Sequence, residues 1–135
     1  MSVRLELATS RRCELMDVTD AVAGAVRALG IEDGAVLLHV PHTTAAVTVN
    51  EGYDPDVAGD LLRRLEQLAP HGVDTAGGLD RHAEGNSDSH LKAALVGTST
   101  LLPVEGGAIA LGTWQRVFFC EFDGPRRRGL WVSRV

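Results

Sequence analysis

The run GAVLLHVPHTTAAVTVN, Gly34 to Asn50, decides how this chain is built. Gly34 opens Ala35 to Val40, a stretch too short for a helix and β-branched enough for a buried strand; Pro41 ends it, because proline has no N–H to give a ladder. From Ala45 to Asn50 apolar and polar residues alternate, the period-two pattern of a second strand, read as its neighbour. The turn between them displays His42, Thr43 and Thr44.

Working outward, Val3, Leu5 and Leu7 alternate with Arg4, Glu6 and Ala8 as a half-buried strand, and a short second strand takes in Cys13 and Leu15. Asp17 or Thr19 can cap a helix whose apolar residues, Val18, Val22, Ala25, Val26 and Leu29, fall at helical spacing before Gly30 stops it. Downstream, Asp54 is an N-cap with Pro55 at the first helical position, where a missing N–H costs nothing. Val57, Leu61, Leu65 and Leu68 follow on one face. Residues 70 to 86 are glycine-rich and aperiodic. They read as one long loop, and loops beyond about 12 to 15 residues usually carry function or are disordered. Asn86 or Ser87 can cap a third helix through Leu91 and Leu95 to Gly97. Strands follow near Leu101–Val104, Ala108–Leu111, Val117–Phe122 and Leu130–Val135, with Gly106-Gly107 as a turn and the last three joined as antiparallel strands. This order predicts one α+β domain over residues 1–135. No G-x-G-x-x-G stands between a strand and a helix, which argues against a dinucleotide-binding fold.

Composition narrows the function classes. Hydrophobic residues make up 44% and charged residues 23%, so the chain should fold, while an aromatic share of 4% limits the core to Val, Leu and Ala and favours oligomerisation. A net charge of −5 argues against duplex nucleic acid as a partner. The one basic run, Arg126-Arg127-Arg128, reads as a solvated loop. Cys13 and Cys120 fit neither a disulfide framework nor a metal spacing and read as reduced thiols of a cytoplasmic protein. No secretory start and no membrane-spanning apolar run is present.

Chemistry concentrates between Arg81 and Lys92. His82 and His90 are eight residues apart with Gly85 between them, so the chain can fold back and turn both imidazoles to one point. With His42 they would make a catalytic metal site with an open position, although each alone reads better as a surface or hydrogen-bonded histidine. The start of the third helix offers free N–H groups and a favourable dipole to a phosphate, with Lys92 as added charge; a plain capped helix is the alternative. Glu51, Glu84 and Asp88 are open to a magnesium or general-base role, although a turn rich in Asp, Asn and Gly needs no functional explanation. Thr113-Trp114-Gln115 would stack on and hydrogen-bond a ring, or form a buried turn anchor. No nucleophile motif is present, so any reaction must lean on the ligand's own leaving group.

Three blocks carry a family resemblance: His42-Thr43-Thr44-Ala45-Ala46 with Asn50-Glu51 and Asp54-Pro55; Glu84-Gly85-Asn86-Ser87-Asp88-Ser89-His90-Leu91-Lys92; and Leu111-Gly112-Thr113-Trp114-Gln115 with Cys120-Glu121-Phe122-Asp123-Gly124-Pro125-Arg126. In them the chain resembles the YjbQ family, also called the secondary thiamine-phosphate synthase family. The resemblance implies an antiparallel sheet curved into a half-barrel with about three helices packed on it, and a homotrimer with pockets between subunits. It implies a secondary thiamine-phosphate synthase activity: an aminopyrimidine methyl group passes from its diphosphate to the nitrogen of a thiazole phosphate, and diphosphate leaves. On that reading Asn86, Ser87, Ser89 and Lys92 hold phosphate. His42, His82 and His90 bind a divalent metal, zinc or magnesium, or donate hydrogen bonds. Glu51, Glu84 or Asp88 complete a magnesium shell, and Thr113, Trp114 and Gln115 contact a ring. Pockets between subunits would bring His42 to the Arg81–Lys92 segment only across an interface. A trimeric protein that binds a metal or a phosphorylated metabolite without turnover is the competing expectation.

Overall fold

The chain, in a computed structural model that describes residues 1–72 and 78–135, runs β1 (Ser2–Ala8), β2 (Glu14–Asp17), α1 (Thr19–Ala28), β3 (Gly34–His39), β4 (Ala45–Glu51), α2 (Pro55–Leu68), α3 (Ser87–Val96), β5 (Ser99–Glu105), β6 (Ala108–Ile109), β7 (Gln115–Glu121) and β8 (Arg127–Arg134). Every pairing is antiparallel, and the strands curl into a half-barrel that carries the three helices. The hydrogen-bonded ladders fall into two groups, β1-β8-β3-β5-β6 and β2-β7-β4.

β7 shows how the two groups share a core. Its residues alternate between faces: Val117 and Phe119 enter one apolar cluster with Val22 and Val26 of α1 and with Val36, Leu38 and Val132, while Phe118, Cys120 and Phe122 enter a second with Ala93 of α3. Both faces are covered, so the strand reads as an unbroken apolar run. α2 lies on the second cluster through Leu62 and Leu65, yet none of its residues is fully buried and Leu68 stays 69% exposed.

The predicted helix signals hold in part. Asp54 caps α2, accepting from the Asp56 N–H at 3.0 Å with Pro55 in the first turn. At α1 the residue in the cap position is Val18, and Asp17 just before it accepts from the Thr19 N–H and hydroxyl. α3 follows Asn86, whose side chain makes no cap bond. Part of the predicted 70–86 loop, residues 73–77, lies outside the described residues.

Strand neighbours depart further from expectation. β3 and β4 are not paired, since β3 joins β5 and β8 and β4 joins β7. Nor are the last three strands a meander: β6 is two residues long and pairs only with β5, and β7 and β8 belong to different ladders. The chain changes ladder through the turn after β7, where Gly124 is pressed against the backbone of the β1–β2 connection. A Cβ there would stand 2.3 Å from the Arg11 carbonyl oxygen. Because that neighbour is backbone, Gly124→Ala should cost about 1–3 kcal/mol in urea unfolding, the range for an overpacked site.

Candidate functional site

Four segments meet at one end of the half-barrel. The turn after β3 supplies Pro41 to Thr44, the approach to α3 supplies His82, Glu84 and Asn86, the first turn of α3 supplies His90, and the β7–β8 connection with the start of β8 supplies Asp123, Arg126 and Arg128. They line an open cavity of about 490 Å³. His42, His82 and His90 therefore converge within one chain, and no subunit interface is needed to bring them together.

The wall behind the cavity is a buried ion pair. Arg128 is 3% exposed and Glu121 is fully buried. Arg128 Nε donates to Glu121 Oε1 at 2.9 Å and its Nη2 to Thr44 Oγ1 at 2.8 Å; the Thr9 hydroxyl donates to Glu121 Oε1 at 2.7 Å. Burial alone would push the Glu121 carboxyl up, but the bonds from Arg128 and Thr9 outweigh it and hold the group below its ordinary value. Arg128 thus meets the cavity with its charge already balanced. The solvated loop predicted for Arg126–Arg128 is corrected here: Arg126 and Arg127 are exposed, but Arg128 is a core residue of β8.

Next to it, the Gly129 N–H donates to His42 Nε2 at 2.9 Å. Nε2 is then the acceptor nitrogen, and the ring proton of neutral His42 sits on Nδ1. Burial, with the charges of Arg128 and Arg4, lowers the His42 pKa and keeps the ring neutral. His42 is in this way set as a hydrogen-bond donor through Nδ1, with Nε2 occupied against both a metal and a proton.

His82 and His90 stand edge to face with ring centroids 5.5 Å apart, and His82 Nε2 lies 3.7 Å from Glu84 Oε2. Asn86 Nδ2 donates to Asp123 Oδ2 at 2.8 Å and to Glu84 Oε2 at 3.4 Å, and Arg126 Nη2 reaches the same Asp123 oxygen at 3.0 Å. Among the described residues no group of three or more His, Cys, Asp or Glu is placed to hold a metal ion. The three-histidine site predicted for zinc or magnesium is a shared cavity wall in this arrangement, and one of its six ring nitrogens is already committed.

Other predicted site residues lie elsewhere. Lys92 is 1% exposed, 2.5 Å from Glu66 and 3.0 Å from Asp88. It is a buried ion-pair partner and not a phosphate ligand. Asp88 also receives Arg12 and His71, and the Ser89 hydroxyl donates to the Phe122 carbonyl at 2.6 Å, so neither faces the cavity; Ser87 is half-buried in the first turn of α3 and does not line it. Glu51 caps the approach to α2, accepting from the Tyr53 and Asp54 N–H groups. That is a local structural role at the start of α2. Thr113, Trp114 and Gln115 flank the far end of β4–β7: Gln115 pairs with Glu51, six residues from the Ala45–Glu121 pair at the cavity end, or roughly 20 Å at strand rise. Gln115 Oε1 closes its own turn on the Gly112 N–H at 2.8 Å, so the amide anchors the turn, while Trp114 packs edge to face on Tyr53 and is 62% exposed, which corrects the expectation of a buried anchor.

Sequence reasoning passed over Asp123, Arg126 and Arg128 as site residues. For Arg128 a signal existed: it shares the parity of Leu130 and Val132, which face the core.

The ion-paired carboxylates make the fold acid-sensitive. For Asp88 and Glu66, as for Glu121, burial raises the pKa, but the opposing hydrogen bonds, from His71 and Lys92, win and depress it below the ordinary 3.8 and 4.5. The native state therefore binds fewer protons than the unfolded chain just below those values. Their stabilisation is complete above the ordinary carboxylate range and is lost as pH falls through the depressed values. The urea midpoint should drop between pH 6 and pH 3, and an unchanged midpoint would contradict the pairing.

Fold and site together define an α+β half-barrel protein with a polar cavity of histidines, arginines, two carboxylates and one asparagine at its end. The chain belongs to the YjbQ-like UPF0047 family, whose match covers residues 3–135. It is 45% identical to the UPF0047 protein YugU of Bacillus subtilis, over 97% of this chain and 96% of the relative. A YjbQ/UPF0047-family crystal structure from Clostridium acetobutylicum superposes with a TM-score of 0.92 at 41% identity, covering 98% of this chain and 99% of that one. A conserved hypothetical protein from Thermus thermophilus does so with 0.89 at 48% identity, covering 98% and 99%. Among the described residues no helix is long and apolar enough to cross a membrane.

Proposed function

We propose that this chain is a transferase of the thiamine-phosphate synthase type, acting in the cavity between His42, His82 and His90. One observation supports the reading above the others: a single cavity of about 490 Å³ gathers donors from Arg126, Arg128 and the three imidazoles, a size within the usual small-ligand range. In the reaction the thiazole nitrogen attacks the methylene carbon of the aminopyrimidine diphosphate. The N–C bond forms as the C–O bond breaks, and diphosphate departs with the bonding electron pair. No proton has to move, which suits a site without an enzyme nucleophile. Its residues orient the two rings, steady the charge gathering on the departing oxygens and exclude water. His42, neutral with its proton on Nδ1, is a donor to those oxygens. No step here runs through a protein-held metal, because the donors do not form a metal cluster; a divalent ion enters as the counter-ion of the diphosphate.

We place the protein in the cytoplasm on its two free cysteines, and as a homotrimer on the apolar side chains left exposed along α2 and α3, Leu68, Leu91 and Leu95. The second reading, binding without turnover, is favoured by one feature: Arg126 and Arg128 are each already engaged by a carboxylate, which tempers the charge available to a leaving group. Product counted per chain over a long incubation separates the two. Many turnovers with magnesium diphosphate substrate support the transferase; product that stops at or below one per chain leaves a binding protein.

A further inference from the structure

We infer that the polar cavity is one half of a two-lobed site, and that its second, apolar lobe seats the aromatic ring of the phosphorylated ligand. This rests on the polar cavity being the phosphate site. A second hollow of about 510 Å³ adjoins the first and shares Pro41, His42, Thr43 and His90 with it. Beyond that partition its walls are His39, Val40, Ala93, Ala94 and Thr98, of which Val40 and Ala93 are buried behind the others. His90 and Ala94 stand at i and i+4 on α3 and so share one outward face, where the Cβ-only side chain of Ala94 leaves the space open. The two lobes differ in chemistry. Arginines and carboxylates surround the first; the second has none, and the Thr98 carbonyl is already bonded to the Val40 N–H at 2.8 Å.

A ligand filling both lobes is charged at one end and flat and apolar at the other. Sugar phosphates fit poorly, because hydroxyls set against the exposed apolar surface of Pro41 and Ala94 would lose water without gaining partners there. A compact aromatic or heteroaromatic monophosphate fits, with the imidazoles of His42 and His90 at the junction of its two parts.

Calorimetric titration of the intact chain with inorganic phosphate, ribose 5-phosphate and a thiazole phosphate tests this. The thiazole phosphate should bind at least about ten-fold tighter than either of the others. Ala94→Phe, at an exposed helical position, should abolish that advantage while leaving inorganic phosphate affinity unchanged, which also reports an intact fold. Equal affinity for all three ligands would overturn the inference, as would an undiminished preference in Ala94→Phe, or a variant whose oligomeric mass changes while its affinities do not, since the hollow would then be a contact between copies. Failure of inorganic phosphate to bind would remove the phosphate site and the second lobe together. Ring preference without turnover would remove only the transferase.

Discussion

Arg128→Ala should destabilise the fold by about 3–5 kcal/mol, the range for stripping one partner from a buried ion pair. Glu121 is fully buried, and without the guanidinium it must remain charged and unpaired in the core or take up a proton at neutral pH. Thr44 Oγ1 loses its donor in the same step. A loss of that size is a large part of the roughly 5–15 kcal/mol that holds an ordinary domain together. The contrast with a double change makes the cause visible. Arg128→Met with Glu121→Met removes both charges and fills similar volume, so it should recover most of the loss. Urea unfolding at pH 7 reads both. A cost below about 1 kcal/mol for Arg128→Ala would mean the pair is solvated, as surface pairs are.

His90→Ala should lower kcat/KM by about 100-fold, with little effect on the urea midpoint. His90 is half-buried and its ring stands edge to face with His82, on the partition between the two lobes. Removing it takes away a donor and lets the ligand settle out of line, and a misplacement of about 1 Å is enough for a loss of that order. If kcat/KM and phosphate-ligand affinity both survive the change, the cavity is not where the chemistry occurs.

How far the sequence could be read depends on whether a signal is local. Strand and helix positions follow from periodicity and capping, which neighbouring residues determine: Asp54-Pro55 opens α2 as expected, and Val3, Leu5 and Leu7 mark β1. Strand pairing is not local. That β8 lies between β1 and β3, while β7 lies between β2 and β4, depends on contacts across most of the chain, and nothing at Gly106-Gly107 or Gly124 announces which ladder the next strand joins.

The same distinction divides the site. His82, Glu84, Asn86 and His90 could be grouped because they lie on one short segment, and His42 could be added by residue type, a long-range link that the resemblance then reinforced. Lys92 was misread because a helix start announces free N–H groups without saying which face meets the solvent. Asp88, Ser89, Lys92 and Ala93 form the buried face of α3, so its lysine and acid neutralise each other in the core while His90 and Ala94 face outward. Trp114 and Gln115 look like ligand-binding residues by type alone; their turn is closed by Gln115's own side chain at the opposite end of the β4–β7 pair.

On the proposed function, the cavity between His42, His82 and His90 receives the phosphorylated ligand. Imidazole nitrogen resonances of all five histidines, followed as a thiazole phosphate is added, test it most directly. The signals of His42, His82 and His90 should move together and saturate at one affinity, while His71, engaged with Asp88 away from the cavity, stays in place. Saturable binding that leaves those three resonances unmoved would contradict it.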